Sequence, residues 1–527
     1  MKKLLAALLS LCLLLTLAAA EEAEETVIVL GEAITVNGEA IPEDASAPVY
    51  LAHVVEAHGD VPAELAALAN RVVTIAAGGV YRLSGAAADV QIAVRAGEAD
   101  DVRLILDGVD ITCRTSSAIA VYSARDPRTA GEYGVTIELA EGSENRVTGS
   151  HTVRIEETDT KLDGAVCSLV SLGFEGSGSL TVEADNEGVE VKYGHMTING
   201  GVFHITAGDD PLNVSEDGVG VLTMNDGYVY SAVRAAAGGE GDGIDSNGWI
   251  VFNGGTAINL AHPTSQDGGI DSDMGSTING GVIVGAGNMY DPIEADSAQL
   301  FMMLEFAEST DDLLVVTDEA GQPVFAYDFP HDYMYIAFST PELAEGATYR
   351  VYLGGEIEGE QQDGLYTVIT AYTPGRQLVH GAGVAEQRAM GGMQPPAGFE
   401  PGQGFGGEMP EGFDPGRGFG GEMPEGFDPG RGFGGERPEG FDPGRGFGGE
   451  RPEGFNPGQG FGGEMPEGFM PPEGGFGQHP GGMPEGFTPP EGGMGGMPRG
   501  MESSSEVATD EFVLTRESCT FSNLTVK

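Results

Sequence analysis

The sequence predicts an all-β chain: a right-handed parallel β-helix, then a small antiparallel β cap and a disordered Gly/Pro-rich tail. Three observations carry that prediction. First, a short corner pattern recurs, an acid, a Gly or Pro, an aliphatic, then an acid or amide. It reads Glu187-Gly-Val-Glu190, Asp210-Pro-Leu-Asn213, Asp242-Gly-Ile-Asp245, Asp267-Gly-Gly-Ile-Asp271 and Asp291-Pro-Ile-Glu294, and its aliphatics stand 23, 32, 26 and 23 residues apart. Second, Asn199-Gly-Gly, Asn225-Asp-Gly, Asn253-Gly-Gly and Asn279-Gly-Gly run in phase with it, at steps of 26, 28 and 26. Third, the intervening segments are short and rich in Val and Ile, such as Val202-Phe-His-Ile205 and Val282-Ile-Val284, the composition of strands. Two corner signals sharing one period mark a stacked-coil solenoid. The period is too short for helix–turn–helix repeats, which need about 33 residues or more, and suits three strands and three corners per coil.

The elements follow in chain order. Residues 1–20, with two Lys, an apolar run and Ala18-Ala-Ala20, read as a signal peptide; no later stretch is long and apolar enough to span a bilayer. The expectation is a secreted protein, extracellular or held at the cell surface. Residues 21–70 form an N-terminal segment: an acidic start, a strand and turn at Ile34–Gly38, and a short helix over 61–69 that caps the solenoid. Coils run over 71–294, with residues 123–134 as a loop thrown off one of them. Acids are rarer at the corners before residue 183, so cation sites are expected mainly after it. Over 295–375 the corner pattern gives way to apolar segments about 9–16 residues apart, the mark of antiparallel strands.

Residues 391–500 carry a 14-residue repeat through Phe405, Phe419, Phe433, Phe447 and Phe461. Gly and Pro at this density do not build a packed core. The segment reads as an extended spacer or as a cohesive tail with Phe, Met and Arg as stickers. Residues 501–527 alternate apolar and polar, either a strand returning to a sheet or the start of another module.

Composition narrows the function. The 527 residues hold 25 basic and 82 acidic side chains, a net charge of −57, which disfavours nucleic acid and anionic lipid as partners. Three Cys remain beyond the signal peptide, Cys113, Cys167 and Cys519, too few and too odd for a disulfide framework.

Stacking has a chemical consequence. Coils about 4.8 Å apart place corner acids in columns of like charge, and like charges directly opposite destabilise a sheet. A hard divalent cation with oxygen ligands at about 2.3–2.6 Å fits between coils. The alternative is a merely solvated acidic face.

Four separated motifs resemble a family of secreted bacterial carbohydrate-binding domains. They are Val72-Val-Thr-Ile75 with Gly79-Val-Tyr-Arg-Leu-Ser-Gly85; Leu104-Ile-Leu-Asp-Gly-Val-Asp-Ile111; Asp242-Gly-Ile-Asp-Ser-Asn-Gly248; and Thr340-Pro-Glu-Leu343 with Gly346-Ala-Thr-Tyr-Arg-Val-Tyr-Leu-Gly-Gly355. The resemblance covers about residues 70–372. It implies a parallel β-helix shaped like pectate lyases, Ca²⁺ held by corner acids, and a plant cell-wall polysaccharide partner, acidic pectin or cellulose. Carried onto this chain, the metal ligands are Asp242, Asp245, Asn247, Asp267, Asp271 and Asp273. Asp209, Asp210 and Asn213 depart from the family pattern through Pro211, and Glu187, with Glu190, through Glu where Asp is usual.

Two functions from different classes follow: non-catalytic calcium-dependent polysaccharide binding, and a pectate lyase on the same scaffold; a structural surface adhesin is a third. Lyase chemistry needs a Lys or Arg as base near the cation, and Lys161, Lys192 and Arg234 are the nearest in sequence. Lys192 reads either as part of the carbohydrate site or as a surface ion pair. Trp249, the one Trp, is a sugar-stacking ring or an apolar plug; Tyr228 and Tyr290 are weaker candidates for the same role.

Overall fold

The structure is a computed structural model and describes residues 25–54, 70–151, 162–381 and 508–527. The expected signal peptide, the helix at 61–69, the repeat at 391–500 and Lys161 lie outside the described residues. Among those described, every regular element is a β-strand and there is no helix.

Three ladders of parallel strands organise residues 70–287. The first contains Gly79–Ala88, Val102–Thr112, Val135–Leu139, Leu172–Gly176, His195–Ile198, Val221–Met224, Trp249–Phe252 and Gly275–Ile278. The second continues from the C-terminal half of Val102–Thr112 through Glu144–Gly149, Ser179–Ala184, Val202–Ala207, Tyr228–Val233, Thr256–Leu260 and Val282–Gly287. The third runs through Asn70–Ile75, Val90–Arg95, Ile119–Ser123, Gly164–Ser168, Glu187–Val191, Leu212–Val214, Asp245–Ser246 and Asp271–Ser272. The chain visits the ladders in rotation, third, first, second. The sequence steps reappear as register: Val189 faces Leu212, Asn213 faces Asp245 and Asp245 faces Asp271 in the third ladder.

Alternating residues point inward and make one apolar core, including Ile92, Val121, Phe174, Val189, Phe203, Ile205, Leu222 and Ile250. The Asn-Gly markers lie on the surface, where each amide donates to the one before: Asn225 to Asn199 at 2.7 Å, Asn253 to Asn225 at 2.8 Å, Asn279 to Asn253 at 2.9 Å. The glycine two residues after each Asn has positive φ (101° at Gly201 and Gly227), a conformation costly for a residue with Cβ.

At the N-terminal end, Glu25–Leu30 joins the first ladder beside Gly79–Ala88, and Val49–Val54 pairs antiparallel with Asn70–Ile75. Thr35–Val36 and Glu39–Ala40 form a hairpin whose turn residues Asn37 and Gly38 both have positive φ, the two-residue turn that matches strand twist.

After residue 295 pairing turns antiparallel. Tyr333–Ser339 lies between Val282–Gly287, the last strand of the second ladder, and Phe301–Thr310. Leu314–Thr317, Pro323–Tyr327, Leu365–Val379 and Thr348–Gln362 pair in a closed ring. This region buries Met302, Leu304, Phe325, Tyr327 and Phe338 against Ile258, Leu260, Val284 and Ala286 on the outer face of the second ladder. Phe325 and Phe338 stack at 4.0 Å.

One segment departs from the sequence reading, and another is decided between its two alternatives. Residues 124–134 do not project from the coils. They fold along the first ladder, with Ala130 packed on Val221, Trp249 and Val251. Tyr133 lies over Gly173, where an added Cβ would come within 2.3 Å of the ring. Residues 508–527 follow one of the two readings of the C-terminal segment, a strand returning to a sheet, so in chain order the repeat segment is an insertion between paired strands. Thr520–Val526 pairs parallel with Phe301–Thr310 and antiparallel with Leu365–Val379, and Phe512–Val513 pairs with Thr348–Tyr349. His380 and Thr509, on either side of the insertion, exchange backbone hydrogen bonds of 2.9 and 3.0 Å.

Candidate metal centre

The third ladder builds the site. Its outward positions form one column, Ala93, Ala120, Cys167, Glu190, Asn213, Asp245 and Asp271, each facing the next across a parallel pair. The column is apolar at one end, where Ala93, Ala120 and Cys167 pack with Val72 and Tyr122, and acidic at the other. Three residues before the column positions stand Glu187, Asp210 and Asp242, the first acids of their corners.

Asp242, Asp245 and Asp271 each offer a carboxylate oxygen, and the three oxygens lie within 4.8 Å of one another. Two oxygens on opposite sides of a Ca²⁺ at about 2.4 Å each would be separated by about the same distance. The donors are hard oxygens with no thiol or imidazole among them, a set suited to Ca²⁺ rather than Zn²⁺.

Backbone geometry fixes the carboxylates. The Gly268 N–H donates to Asp242 Oδ1 at 2.6 Å, the Asp242 N–H to Asp210 Oδ1 at 2.7 Å, and the Gly241 N–H to Asp267 Oδ2 at 2.7 Å. Asp210, Asp242 and Asp267 thus each cap the backbone at a neighbouring corner with one oxygen.

Electrostatics show the strain of crowding. Burial, and then Asp267, Asp245 and Asp291, push the Asp242 carboxyl from 3.8 up to about 8, although the Gly268 N–H acts against the rise. Burial, Asp273 and Asp291 raise Asp245 to about 7. Asp271 is raised by burial and by its hydrogen bond to Asp291, and Asp210 by burial beside Asp245 and Asp242. Glu187 is raised by burial, then by Asp210 and Glu190, and its Oε2 is buried with no hydrogen-bond partner. A buried oxygen without a partner is costly, and a cation would satisfy it. The residues present therefore fit a hard divalent ion.

The expected ligands divide on this geometry. Asp242, Asp245 and Asp271 come together. Glu187, Asp210 and Asn213 lie at the preceding corners, where Asn213 Nδ2 donates to Asp210 Oδ2 at 3.2 Å; Asp209 sits beside them, and its charge helps to raise the Glu187 carboxyl. Asp267 braces Gly241, and Asp273 contributes to the field on Asp245. Asn247 is turned to another acid, donating to Asp217 Oδ1 at 2.7 Å. Glu190 accepts from Ser215 Oγ at 2.8 Å and pairs with Lys192 at 2.5 Å. Asp291 was not among the expected ligands, yet it hydrogen-bonds Asp271 and accepts from the Ser272 N–H at 3.2 Å. Its signal was present in the corner Asp291-Pro-Ile-Glu294.

The expected sugar-binding residues are otherwise occupied. Lys192 is held between Asp163 at 2.7 Å and Glu190 at 2.5 Å. Burial alone would lower its pKa, but Glu190 and Asp163 outweigh burial and raise it, so the group is an ion pair and a poor base. Trp249 is only 6% exposed, plugged against Val221, Val251, Ala130 and Met274, and offers no free face to a sugar. Tyr228 donates to Asp363 Oδ2 at 2.6 Å on another ladder, and Tyr290 packs at 5.1 Å from Tyr335.

Residues 69–299, which contain the whole acidic column, match a family model described as carbohydrate-binding domain-containing protein. A relative from Acetivibrio thermocellus with the same description is 33% identical over 142 residues, 27% of this chain and 46% of the relative. The aligned region spans less than half the length of that relative. Among solved structures, a polysaccharide lyase-like protein from C. thermocellum, studied as a gadolinium derivative, is similar over 49% of this chain and 90% of its own, with 23% identity and a TM-score of 0.35.

Proposed function

We propose that the protein is an exported, non-catalytic polysaccharide-binding protein. Its coils form a right-handed parallel β-helix that holds Ca²⁺ at the acidic corners, and its partner is an acidic plant cell-wall polymer of the pectin type. The observation that carries the reading is the meeting of Asp242, Asp245 and Asp271 carboxylates within 4.8 Å, inside the region similar to carbohydrate-binding domains. The three parallel ladders, visited in rotation, support the β-helix, and the strong right-hand preference of parallel crossovers supports its hand. When bound, the cation supplies charge neutralisation and open coordination positions for carboxylates of the polymer. Asp242, Asp245 and Asp271 would hold it, with Asp291 adding negative charge at the next corner, which explains how a chain of charge −57 retains a polyanion.

The lyase reading loses one of its three candidate bases. Lys192 is locked by two carboxylates, which favours binding without cleavage; Lys161 lies outside the described residues and Arg234 is exposed. Retention on pectin, xylan and cellulose, with calcium and with chelator, tests the proposal. Calcium-dependent retention on pectin is expected; equal retention with chelator removes the role of the ion, and unsaturated product absorbing in the ultraviolet removes the non-catalytic reading.

A further inference from the structure

Beside the acidic column runs a second strip of side chains, at the corner joining the third ladder to the first. Its members are set by register. His195 faces Val221, Val221 faces Trp249 and Trp249 faces Gly275. The residues two positions earlier, Tyr193, Val219, Asn247 and Asp273, stand at successive corners, Val219 on the longer turn 215–220, whose Gly218 N–H donates to the Asn247 carbonyl at 2.7 Å. The first two are apolar and open, Tyr193 45% exposed and Val219 41%. Among the described residues Tyr193 is the one exposed Phe, Tyr or Trp. An open ring on a braced turn is a pre-organised contact, because little freedom is left to lose on binding.

The turn is braced on both sides. Lys192 is tied to Asp163 and Glu190. The Gly194 N–H donates to Glu216 Oε2 at 2.5 Å, and Glu216 is itself paired with Arg128. Gly194 has φ of +97°, and a Cβ there would lie 2.4 Å from Ser171 Oγ, so this corner has no room for a side chain beside the ring.

We infer that Tyr193 is a sugar-stacking platform, and that a polysaccharide chain lies along the stack, with a sugar ring on Tyr193 and Val219 and its acidic groups over the Asp242, Asp245 and Asp271 cluster. The chemistry favours a sugar over a protein partner. The open apolar surface is small, one ring and one aliphatic at successive corners, and the corners that follow carry polar Asn247 and Asp273. A pyranose has an apolar face for the ring and a polar rim for its neighbours, and Tyr matches it with an apolar body and a polar tip. The inference rests on the polysaccharide-binding reading above and adds the direction of the chain and the residue that orients it.

The test is calorimetric titration of the full chain with a polygalacturonate oligomer in calcium, comparing wild type, Tyr193→Ala and Tyr193→Phe, with melting temperature measured with and without calcium. Tyr193→Ala is expected to bind about tenfold more weakly, with the calcium-dependent melting shift unchanged; Tyr193→Phe is expected to bind as wild type. Undiminished binding by Tyr193→Ala overturns the platform alone, as does a Tyr193→Phe loss equal to that of Ala, which would show hydrogen bonding rather than stacking. A lost calcium shift in Tyr193→Ala also overturns it, since the ring would then act through the fold. If wild type binds no polygalacturonate with or without calcium, the polysaccharide reading itself falls, and the platform with it.

Discussion

A carboxylate raised from 3.8 to about 8, as at Asp242, or to about 7, as at Asp245, links stability to pH. In the folded state these groups keep a proton that the unfolded chain has lost. Without metal, their contribution is complete below about pH 4 and disappears as pH rises through 7 to 8. A divalent cation binds the deprotonated form, so its effect runs the opposite way. The expected result is a calcium-induced rise in melting temperature that grows between pH 5 and pH 8, measured in parallel with chelator; a shift independent of pH would separate the ion from these carboxylates. Asp245→Asn gives a second outcome of unusual sign. It removes one like charge, so in chelator at pH 8 it should melt about 2 °C or more above wild type, while its gain from calcium shrinks. The residue types here were legible in sequence as corner acids, but their unequal roles were not. Asn247 and Asp242 share one motif, yet one donates to Asp217 and the other faces Asp245 and Asp271, because adjacent positions at a bend point in different directions.

At the scale of elements, the corner steps were legible because each step between coils is also a strand register; a parallel ladder converts sequence distance directly into a contact. The final strand was not. Thr520–Val526 pairs with Phe301–Thr310, more than 200 residues away, and nothing local encodes that partner. Phe512 and Leu514 are fully buried, and Phe521 and Leu524 nearly so, which makes residues 508–527 part of the antiparallel sheet. Phe512→Ala should cost about 3–5 kcal/mol, read as a lower denaturation midpoint. Deleting 508–527 should speed hydrogen exchange in Phe301–Thr310 and Leu365–Val379 while leaving the early coils protected; uniform protection would show the strand to be dispensable. The loop at 124–134 teaches the same lesson on a smaller scale. Composition marks it as irregular, but its place along the first ladder depends on the absence of a side chain at Gly173.

Across the described residues, each strand of the three parallel ladders pairs with its neighbours in the ladder, so stability is distributed and local change stays local. The apolar Ala93–Ala120–Cys167 end of the outward column needs no ion, whereas the end carrying Asp245 and Asp271 stands opposed by its own charge. Chelation should therefore raise hydrogen exchange in Leu212–Val214, Asp245–Ser246 and Asp271–Ser272 before it affects Val90–Arg95 or Ile119–Ser123. Loss of protection spread evenly over the ladders would contradict a calcium site confined to these corners. The net charge of −57 acts on the same scale, favouring cation uptake and opposing any polyanion that arrives without one.

By itself the sequence determined the all-β character, the steps that become strand register and the acidic corners, because these depend on residue type and on spacing along one chain. Tertiary structure alone decided which acids meet, that Trp249 is covered while Tyr193 is open, that Lys192 is paired, and where the last twenty residues dock. Exposure and pairing depend on what another part of the chain lays over a surface, and that covering segment leaves no mark in the residues it covers.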